Sequence, residues 1–368
     1  MVLKLLSVIC INFKCYIVSD FKVKRVLIIR FRRVGDSVLA VCLFKSLKKT
    51  FPGVKIDFVL NENIAPLYSG HPDIDRVIAF SNEENHSVLK YISRVWRIMR
   101  ETRYDVVIDM RSTINTMMFS MFSLRTPFRI GVRKKYNMFF NNYRVENRKN
   151  PLHDMVQRDL MLLNPLEKIA NVQYDPSFAL YAPEEERASY RDYMQRMGID
   201  FAKPVVFVAV ATRIPGKEWS LERAEEVIRK MIDKYHPQII FNYSGEREKM
   251  ICTELYEKLG RDKHIFIDVE ANSLLELRSL ISLCSFFFGN EGGPRHIAQA
   301  FDVPSYAIYP PGVPKRLWLP GDNTRFQGLS PNDIDPAGNE MTREDAFDLL
   351  TADRVWSGLD SMLGAYLI

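Results

Sequence analysis

The chain has 368 residues, of which 47% are hydrophobic and 26% are charged. This balance is typical of a soluble globular protein and excludes fibrous and disordered classes. A chain of this length is too long for one ordinary core and suits two domains of roughly 150 to 200 residues each. The formal net charge is only +6, so the overall charge indicates no particular partner.

The basic residues are unevenly spread. Between Lys90 and Lys149 the sequence has 14 basic residues and only four acidic ones. A local excess of this size predicts an anionic partner, which would be nucleic acid, a phosphorylated glycolipid or a membrane surface. The stretch contains no recognisable nucleic-acid-binding module, so we do not expect nucleic acid to be the partner.

Five cysteines are present, and none forms a CxxC pair or has zinc-finger spacing. This pattern favours a reducing, cytoplasmic environment. The stretch from Leu5 to Val18 is apolar, but it is too short to span a bilayer and lacks a clear signal-peptide cleavage site. Two interpretations stay open for residues 1–21: an extension that precedes the fold, which we favour, and an arm that contacts a membrane.

The first half alternates short apolar strands with helical segments. Strands are predicted over Val26 to Phe31, Val54 to Leu60, Arg76 to Phe80, Val106 to Asp109 and Phe128 to Val132, and the first helix over Asp36 to Lys49. This alternation predicts a parallel sheet with right-handed crossovers.

Four prolines between residues 141 and 185 interrupt the alternation, and a second series starts at Pro204. Its strands are predicted over 205–210, 238–243, 264–267, 286–289 and 305–309, with helices over 220–234, 246–259, 273–283 and 293–301. We therefore predict an α/β protein with an N-terminal extension (1–21), a first Rossmann-like domain (22–185) and a second (186–368), whose last helices pack back on the first. Ligands of such sheets collect at the carboxyl ends of the strands, here in the cleft between the domains.

The loop after the first strand reads Arg-Phe-Arg-Arg-Val-Gly-Asp from Arg30 to Asp36. A dinucleotide fingerprint would need three glycines here, so a nicotinamide enzyme is disfavoured. Asp36 is a carboxylate at a predicted helix start, where the helix dipole favours its ionised form. That position suits a general base and equally suits a plain N-cap. The loop alone favours the cap.

Two loops of the second half also follow predicted strands. Loop 212–219 presents Arg213 and Lys217 beside a helix start, which suits either a diphosphate site or a solvated basic loop. Loop 243–248 carries Glu246 and Glu248, which suit ribose hydroxyls or simply complement the helix dipole.

A further loop, residues 289–296, holds adjacent glycines followed by Pro294 and a histidine. Gly292 and Gly293 let the backbone approach a ligand closely and leave amides pointing into the cleft. His296 follows this turn, and we expect it to face the same rim. A lone histidine on a helix is usually structural, but here the functional interpretation is favoured.

In combination and in this order, these motifs resemble glycosyltransferase family 9, the ADP-heptose:lipopolysaccharide heptosyltransferases. The resemblance runs from about Lys22 to Tyr309. It rests on the strand-Arg-x4-Gly-Asp opening, the Lys-x-Trp of Lys217 and Trp219, and the Asn-x-x-Gly-Pro-x-His block that ends at His296. It implies a GT-B fold, two Rossmann-like domains facing a central cleft, and inverting transfer that needs neither a metal nor another cofactor.

The resemblance implies that Asp36 is the catalytic base. The predicted donor site for an ADP-sugar comprises Thr212, Lys217, Glu246, Glu248, Gly292, Gly293 and His296. The predicted site for an anionic glycolipid acceptor comprises Arg32, Arg33, Arg125, Arg129, Arg133 and Lys134. One departure is that the family commonly has Asp followed by Ser or Thr before the Gly-Pro, where this chain has Glu291 and Gly292.

We therefore expect a cytoplasmic glycosyltransferase that moves heptose, or a similar sugar, to a lipopolysaccharide or lipooligosaccharide core, in peripheral contact with the inner membrane. The alternative is a non-catalytic sugar-nucleotide-binding protein with the same cleft. Asp73-x-Asp75 and Asp333-x-Asp335 match the metal-binding motif of the other large glycosyltransferase class. Both lie among turn-forming residues, and we interpret them as turn chemistry.

Overall fold

The computed structural model describes residues 21–31, 33–338 and 341–367. Within these ranges the strands are β1 (Arg25–Ile29), β2 (Lys55–Asn61), β3 (Arg76–Phe80), β4 (Val106–Asp109), β5 (Phe128–Val132), β6 (Tyr143–Val145), β7 (Val205–Ala209), β8 (Gln238–Phe241), β9 (Phe286–Asn290), β10 (Ser305–Ile308) and β11 (Phe326–Leu329). They form one sheet in the order β3-β2-β1-β4-β5-β6 and another in the order β11-β10-β9-β7-β8. All paired strands in both sheets run parallel. The predicted α/β architecture of two Rossmann-like halves is confirmed.

In the same ranges the α-helices are α1 (Val34–Leu39), α2 (Cys42–Thr50), α3 (Asn82–His86), α4 (Val88–Glu101), α5 (Ile114–Met121), α6 (Met155–Leu160), α7 (Glu184–Arg196), α8 (Leu221–Tyr235), α9 (Glu246–Lys258), α10 (Leu274–Ser282), α11 (Gly293–Ala300), α12 (Lys315–Trp318), α13 (Pro331–Ile334), α14 (Arg343–Asp348) and α15 (Ala352–Tyr366). Short 3₁₀ helices cover Ala65–Tyr68 and Met161–Lys168. None of these helices has both the length and the apolar character needed to cross a bilayer. The stretch from Leu5 to Val18 lies outside the described residues.

The first helix differs from its prediction. It begins at Val34, two residues earlier than expected, and it is interrupted between α1 and α2. At the interruption the amides of Val41, Leu43 and Phe44 bond to carbonyls three residues back instead of four. This tighter 3₁₀ geometry breaks the α-helical ladder, although the apolar spacing continues through it.

The remaining differences concern short segments. The strand predicted over 264–267 is wrong, because only Ile265 forms a β-bridge, with Ile239 of β8. Strands β6 and β11 were not predicted. Each is an edge strand of three or four residues with no fully buried position, so neither shows the apolar run by which a central parallel strand is recognised.

The two faces of the first sheet have different surroundings. On one face Leu27, Ile29 and Val107 pack under α4 and α5 in a separate apolar cluster. On the other face Val26 and Ile28 belong to a cluster that also includes α1 and α2, and this cluster continues into the second sheet. The first sheet therefore has an inner face, turned toward the second half, and an outer face covered by α4 and α5.

The C-terminal helix packs on the second half, not back on the first domain as predicted. Val355, Leu359 and Leu363 of α15 join the apolar cluster that α8 and the second sheet share. Lys234 of α8 binds both carboxylate oxygens of Asp360, at 2.7 and 2.8 Å. Helix α15 therefore covers one face of the second sheet together with α8.

A buried arginine joins the two halves. Arg278 of α10 is fully buried, and its Nη1 donates to the carbonyl oxygens of Leu67 and Ser69 in the first half, at 3.1 and 2.8 Å. Its Nη2 bonds to the carboxylate of Glu186 on the connecting helix α7. One guanidinium of the second half thus satisfies acceptors of the first half and of the segment between the halves.

We predict that Arg278→Ala lowers the free energy of unfolding by about 3 kcal/mol, because it leaves a carboxylate and two carbonyls without their donor. Urea unfolding of the purified chain measures this. Arg187→Ala is the matched control, since it removes a solvent-exposed pair with Glu184 on the same helix α7 and should cost less than about 1 kcal/mol. Equal effects of the two substitutions would contradict a joining role for Arg278.

Candidate active site

The carboxylate predicted as the catalytic base lies in the first turn of α1. The helix begins at Val34, its N-cap residue is Arg33, and Asp36 is the third helical residue. The interpretation of Asp36 as the N-cap is therefore wrong. The side chain is only 5% exposed, so it needs a buried partner for its charge.

Arg30, at the carboxyl end of β1, is that partner. Its Nη2 lies 3.2 Å from Oδ1 of Asp36 and 3.5 Å from Oδ2 of Asp159. Its Nε and Nη1 donate to the carbonyl oxygens of Asp36 and Met110, both at 3.3 Å. The guanidinium thus fixes the start of α1 and supplies a counter-charge to two buried carboxylates.

The start of α1 meets the start of α11 from the second half. A Cβ atom on Gly35 would lie 2.5 Å from Cδ2 of His296, and one on Gly293 would lie 3.2 Å from Cβ of Val34. The two helices therefore approach each other closely at two glycines: Gly35 lies against His296, and Gly293 lies against Val34. This contact brings the charge of Asp36 close enough to His296 to act on the pKa of its ring.

His296 lies inside this seam, so the expectation that it faces an open rim is wrong. The ring is 2% exposed. Burial and the positive charge of Arg295 lower the pKa of His296 to about 4, so the ring is neutral at neutral pH. Nη2 of Arg295 lies 2.6 Å from Nδ1, and a carboxylate oxygen of Glu291 lies 3.4 Å from Nε2. Nη2 of Arg295 also lies 2.9 Å from Nε2, so the guanidinium contacts both ring nitrogens.

Glu291 carries the negative charge of this cluster. Burial raises the pKa of its carboxyl, but the hydrogen bond with His296 and the charges of Arg295 and Lys217 outweigh burial and hold the pKa below its usual value. Lys217 lies in the loop after β7, and α11 follows the neighbouring strand β9; the amide of Trp219 bonds to Asn290 of β9 between them. Two predicted donor-site elements, Lys217 and the turn at Gly292, are therefore brought together.

The two glycines of this turn have different surroundings. Beside Gly292, the nearest atom to an added Cβ would be Cδ of Pro294, at 3.8 Å. There is room next to the backbone here, as a ligand would require. Gly293 instead packs against Val34 of the first half, so its small size serves the contact between the halves.

Asn290 holds the loop that carries Lys217. Its amide nitrogen donates to the carbonyl oxygens of Ala209 and Val210, and its Oδ1 accepts from the amide of Trp219 at 2.9 Å. The indole of Trp219 donates to the carbonyl of Leu350 and is buried. The Asn and the Trp of the two motifs thus anchor this loop to the second sheet.

Thr212 and Glu218 close the same loop. The Thr212 hydroxyl lies 2.8 Å from the carbonyl of Ile214 and 3.1 Å from Glu218. Arg247 of α9 bonds to Glu218 and to the carbonyl of Thr212. The Thr212 side chain is therefore engaged within the loop, which makes it a supporting residue and not an open ligand contact.

The two candidate ribose glutamates differ in their availability. Glu248 accepts a hydrogen bond from the amide of Ser244 at 2.8 Å, across the start of α9. Glu246 is exposed, and its side chain makes no hydrogen bond to the described residues. Of the two, Glu246 is the carboxylate that a bound nucleotide could engage without disturbing the helix start.

The predicted acceptor residues do not form one cluster. Arg33 is exposed at the start of α1, and Arg133 and Lys134 follow the carboxyl end of β5, so these three lie at the edge of the sheet that faces the cleft. Arg125 and Arg129 lie at the amino end of β5, on the side away from the cleft, and their assignment is wrong. Arg129 donates to the carbonyls of Leu124, Thr126 and Phe140. Arg32 lies outside the described residues.

No group of three or more potential metal ligands occurs within the described residues. Of the two Asp-x-Asp motifs, Asp75 accepts from the amide of Ile56 and from Lys48. Asp333 accepts from the amide and hydroxyl of Ser330 at the start of α13. These bonds agree with the interpretation as turn chemistry.

Asp109 is a further buried carboxylate that the sequence analysis did not single out. It ends β4, is fully buried, and accepts bonds at Oδ1 from the amides of Arg111 and Ser112, at 3.0 and 2.7 Å. Its Oδ2 has no hydrogen-bond partner among the described residues. Burial raises the pKa of Asp109 to about 6, against the opposing effect of these amides. Asp109 could have been identified from the sequence, because it directly follows the apolar run Val106–Ile108 at the carboxyl end of a predicted strand.

The family described as Glycosyltransferase family 9 (heptosyltransferase) matches residues 92–338. Lipopolysaccharide heptosyltransferase 2 of Escherichia coli K12 is 23% identical over 297 residues, which cover 79% of this chain and 84% of that protein. Lipopolysaccharide heptosyltransferase 3 of the same strain is 22% identical over 281 residues, or 75% and 79% of the two chains.

Solved structures share the fold. A glycosyltransferase family 9 protein from Veillonella parvula superposes with a TM-score of 0.77 at 17% identity, covering 93% of this chain and 97% of that one. The E. coli ADP-heptose lipopolysaccharide heptosyltransferase II gives 0.69 at 19% identity, covering 92% and 98%. The E. coli heptosyltransferase WaaC, solved with ADP-2-deoxy-2-fluoro heptose, gives 0.66 at 19% identity, covering 92% and 99%. The fold is GT-B, as expected.

The raised pKa of Asp109 predicts the sign of a pH dependence. Folding raises its proton affinity, so its contribution to stability is full below about pH 4 and is lost as the pH rises through 6. Asp109→Asn should therefore raise the free energy of unfolding by about 3 kcal/mol at pH 8, and the gain should vanish toward pH 4. Urea unfolding at several pH values measures this.

Asp175→Asn is the control of opposite sign. Burial raises the pKa of Asp175, but hydrogen bonds from Lys49 and Ser177 outweigh burial and hold the pKa below its usual value. Its replacement should therefore destabilise the chain at pH 8. Destabilisation by Asp109→Asn at pH 8 would contradict the assigned cause.

Proposed function

We propose, from the premise that this chain belongs to glycosyltransferase family 9, that it moves a heptose or similar sugar from an ADP-sugar to a lipopolysaccharide or lipooligosaccharide core. The curated relatives are lipopolysaccharide heptosyltransferases, and WaaC was solved with an ADP-heptose analogue. The observation that carries the proposal is the meeting of Asp36, from the first half, with the start of α11 from the second.

The second half supports donor binding. Lys217 and the first turn of α11 follow the carboxyl ends of the neighbouring strands β7 and β9, whose loops are joined by the bond from Trp219 to Asn290, and there is room beside Gly292. A helix N-terminus with a nearby lysine favours an anionic diphosphate. Glu246, exposed at the start of α9, is the proposed ribose contact.

The proposed reaction is a direct displacement. Asp36 takes the proton of the acceptor hydroxyl while that oxygen forms a bond to the anomeric carbon. The bond from this carbon to the diphosphate oxygen breaks with its electron pair, and ADP leaves. Attack on the side opposite to the leaving group inverts the anomeric centre. Lys217 and the amides of α11 stabilise the negative charge on the departing diphosphate.

In the first half, three cations support the binding of an acceptor. Arg33, Arg133 and Lys134 lie at the carboxyl edge of its sheet, and their charges suit phosphates or acidic sugars of a core oligosaccharide. An acceptor that is also linked to lipid requires the enzyme to work at a membrane surface.

We predict that Asp36→Asn lowers turnover by roughly two to four orders of magnitude, because Asn cannot accept the proton. Affinity for ADP-sugar should stay within about threefold of the parent, because the substitution lies in the other half of the site. Turnover is measured as ADP release at saturating acceptor, and donor affinity by calorimetry.

Asp159→Asn is the matched control. Asp159 is equally buried and also contacts Arg30, so it reports on the loss of an Arg30 partner without loss of the proposed base. We expect it to lower turnover less than tenfold, and melting temperatures show whether both variants fold. If the two substitutions lower turnover equally, Asp36 only holds Arg30 and the mechanism is wrong.

Lys217→Ala should weaken the binding of ADP by about 1.5–3 kcal/mol, the value of a hydrogen bond to a charged group. Calorimetric titration with ADP measures this. Lys234→Ala is the control, because Lys234 lies in the last turn of α8 and pairs with Asp360, away from the loop assigned to the diphosphate. An unchanged affinity in Lys217→Ala would remove that residue from the donor site.

A further inference from the structure

The outer face of the first domain is covered by three adjoining segments: α4, residues 114–125 and residues 133–142. We call these the outer layer. The Tyr91 hydroxyl of α4 bonds to the carbonyl of Asn115, and the Tyr136 hydroxyl bonds to the carbonyl of Ser112, which immediately precedes α5. Gly131 of β5 points to this face, and its missing side chain leaves room for Asn141. The three segments therefore form one continuous surface, which reaches the carboxyl edge of the first sheet at Arg133 and Lys134.

This surface exposes large apolar side chains. Of the 13 large hydrophobic residues exposed among the described residues, eight belong to the outer layer. They include Leu89, Trp96, Ile114, Leu124, Met138 and Phe139, whose relative exposures are 49% to 80%. Scattered single residues of this kind are normal, but a concentration on one face marks an interaction surface.

The same surface carries positive charge that the protein does not neutralise. The outer layer has eight Lys and Arg residues, and Glu101 is its one acidic residue. Within the described part of the chain, five of these cations form no ion pair: Arg97, Arg100, Arg125, Lys134 and Lys135. Arg100 lies over the ring of Trp96, 5.2 Å from its centroid.

The helices of the second half show what an ordinary solvated face looks like in this protein. On α8 and α9, Arg229, Lys230, Lys234 and Lys258 each pair with at least one carboxylate, and Arg261, just after α9, pairs with Glu257. A basic surface kept only for solubility would be expected to show the same pairing. The outer layer departs from this pattern in both its charge and its apolar content.

We infer that the outer layer is a docking surface for an anionic phospholipid bilayer. Trp, Phe and aliphatic side chains gain free energy at the level of the headgroups, and unpaired Lys and Arg are attracted to anionic lipid phosphates. Exposed Leu, Ile and Met offer nothing to the hydrogen-bonding edges of nucleic acids, so the mixture fits lipid better. The choice of a lipid surface also agrees with the proposed function, on which it partly rests.

The position of the layer supports this assignment. Both α5 and segment 133–142 begin at carboxyl ends of strands, and Arg111, just before α5, donates to the carbonyl of Phe31 in the loop that leads to Asp36. A bilayer on the outer layer therefore lies beside the proposed acceptor edge. A lipid-linked acceptor could enter the cleft without leaving the membrane.

Co-sedimentation of the full chain with vesicles tests the inference, without any sugar nucleotide. One set of vesicles is pure phosphatidylcholine, and the other is an equimolar mixture with phosphatidylglycerol. We expect binding to the anionic vesicles that falls as salt rises. Arg97→Gln with Arg100→Gln and Lys135→Gln should weaken it about 100-fold, at roughly fivefold for each charge. Leu89→Ser with Phe139→Ser should weaken it at least about tenfold.

Matched controls come from the second half. Met250→Ser removes a side chain of similar exposure on α9, and Arg229→Gln with Lys230→Gln and Lys234→Gln removes three paired cations. Both control variants should bind anionic vesicles like the parent. Melting temperatures of all variants establish that they fold.

The inference is overturned if the parent does not bind anionic vesicles at low salt, or binds both compositions equally. It is also overturned if the outer-layer variants bind like the parent, since residues 1–21 are present in every variant and binding would then belong elsewhere. ADP release with delipidated acceptor in solution should be unchanged in the outer-layer variants. A chain that binds vesicles but releases no ADP with any acceptor would refute the proposed function and leave the docking surface standing.

Discussion

Two helix starts meet at the centre of this molecule, and they can meet only because residue 35 has no side chain. A Cβ there would lie 2.5 Å from the ring of His296, which is buried and cannot move aside. This contact places the carboxylate of Asp36 and the amide end of α11 on opposite walls of one site. The other contacts between the halves, such as that of Arg278 with Leu67 and Ser69, hold the sheets at the distance this contact requires.

The charges at the site are fixed before any ligand binds. Arg30 holds Asp36 from one side, and on the other side burial and the charge of Arg295 keep His296 neutral against the opposing charge of Glu291. Buried charges of this kind add little net stability, because desolvation offsets most of their attraction. Their value lies in orientation, since groups already in place need not reorganise when charge moves in the reaction. The proposed chemistry moves one proton toward the first wall and negative charge toward the second.

The sequence predicted the central strands well and the site only in part. Runs such as Val106–Ile108 are apolar throughout, and such runs identify central strands, whereas edge strands β6 and β11 lack this pattern. Charge clustering along the chain proved a poor guide to position. Arg129 and Arg133 are four residues apart, yet a strand rises about 3.3 Å per residue, so β5 carries them to opposite ends of the sheet. The interpretation of Asp36 as an N-cap was wrong because the sequence pattern did not show where the first helical turn begins. Helix α1 begins at Val34, which makes Arg33 the N-cap residue.

The two halves differ in how their surface cations are paired, and under the proposed function this difference matches the ligand that each half binds. A sugar nucleotide arrives from solution, and the second half that would bind it neutralises its helical cations with carboxylates of its own. A lipid-linked acceptor remains at an interface, and the first half leaves cations and apolar side chains exposed together on its outer layer. Arg125 belongs to that layer and not to the cleft. Under the two proposals, the basic stretch from Lys90 to Lys149 contributes to two adjoining surfaces that meet at Arg133 and Lys134, one for the acceptor's polar groups and the other for the bilayer that holds its lipid.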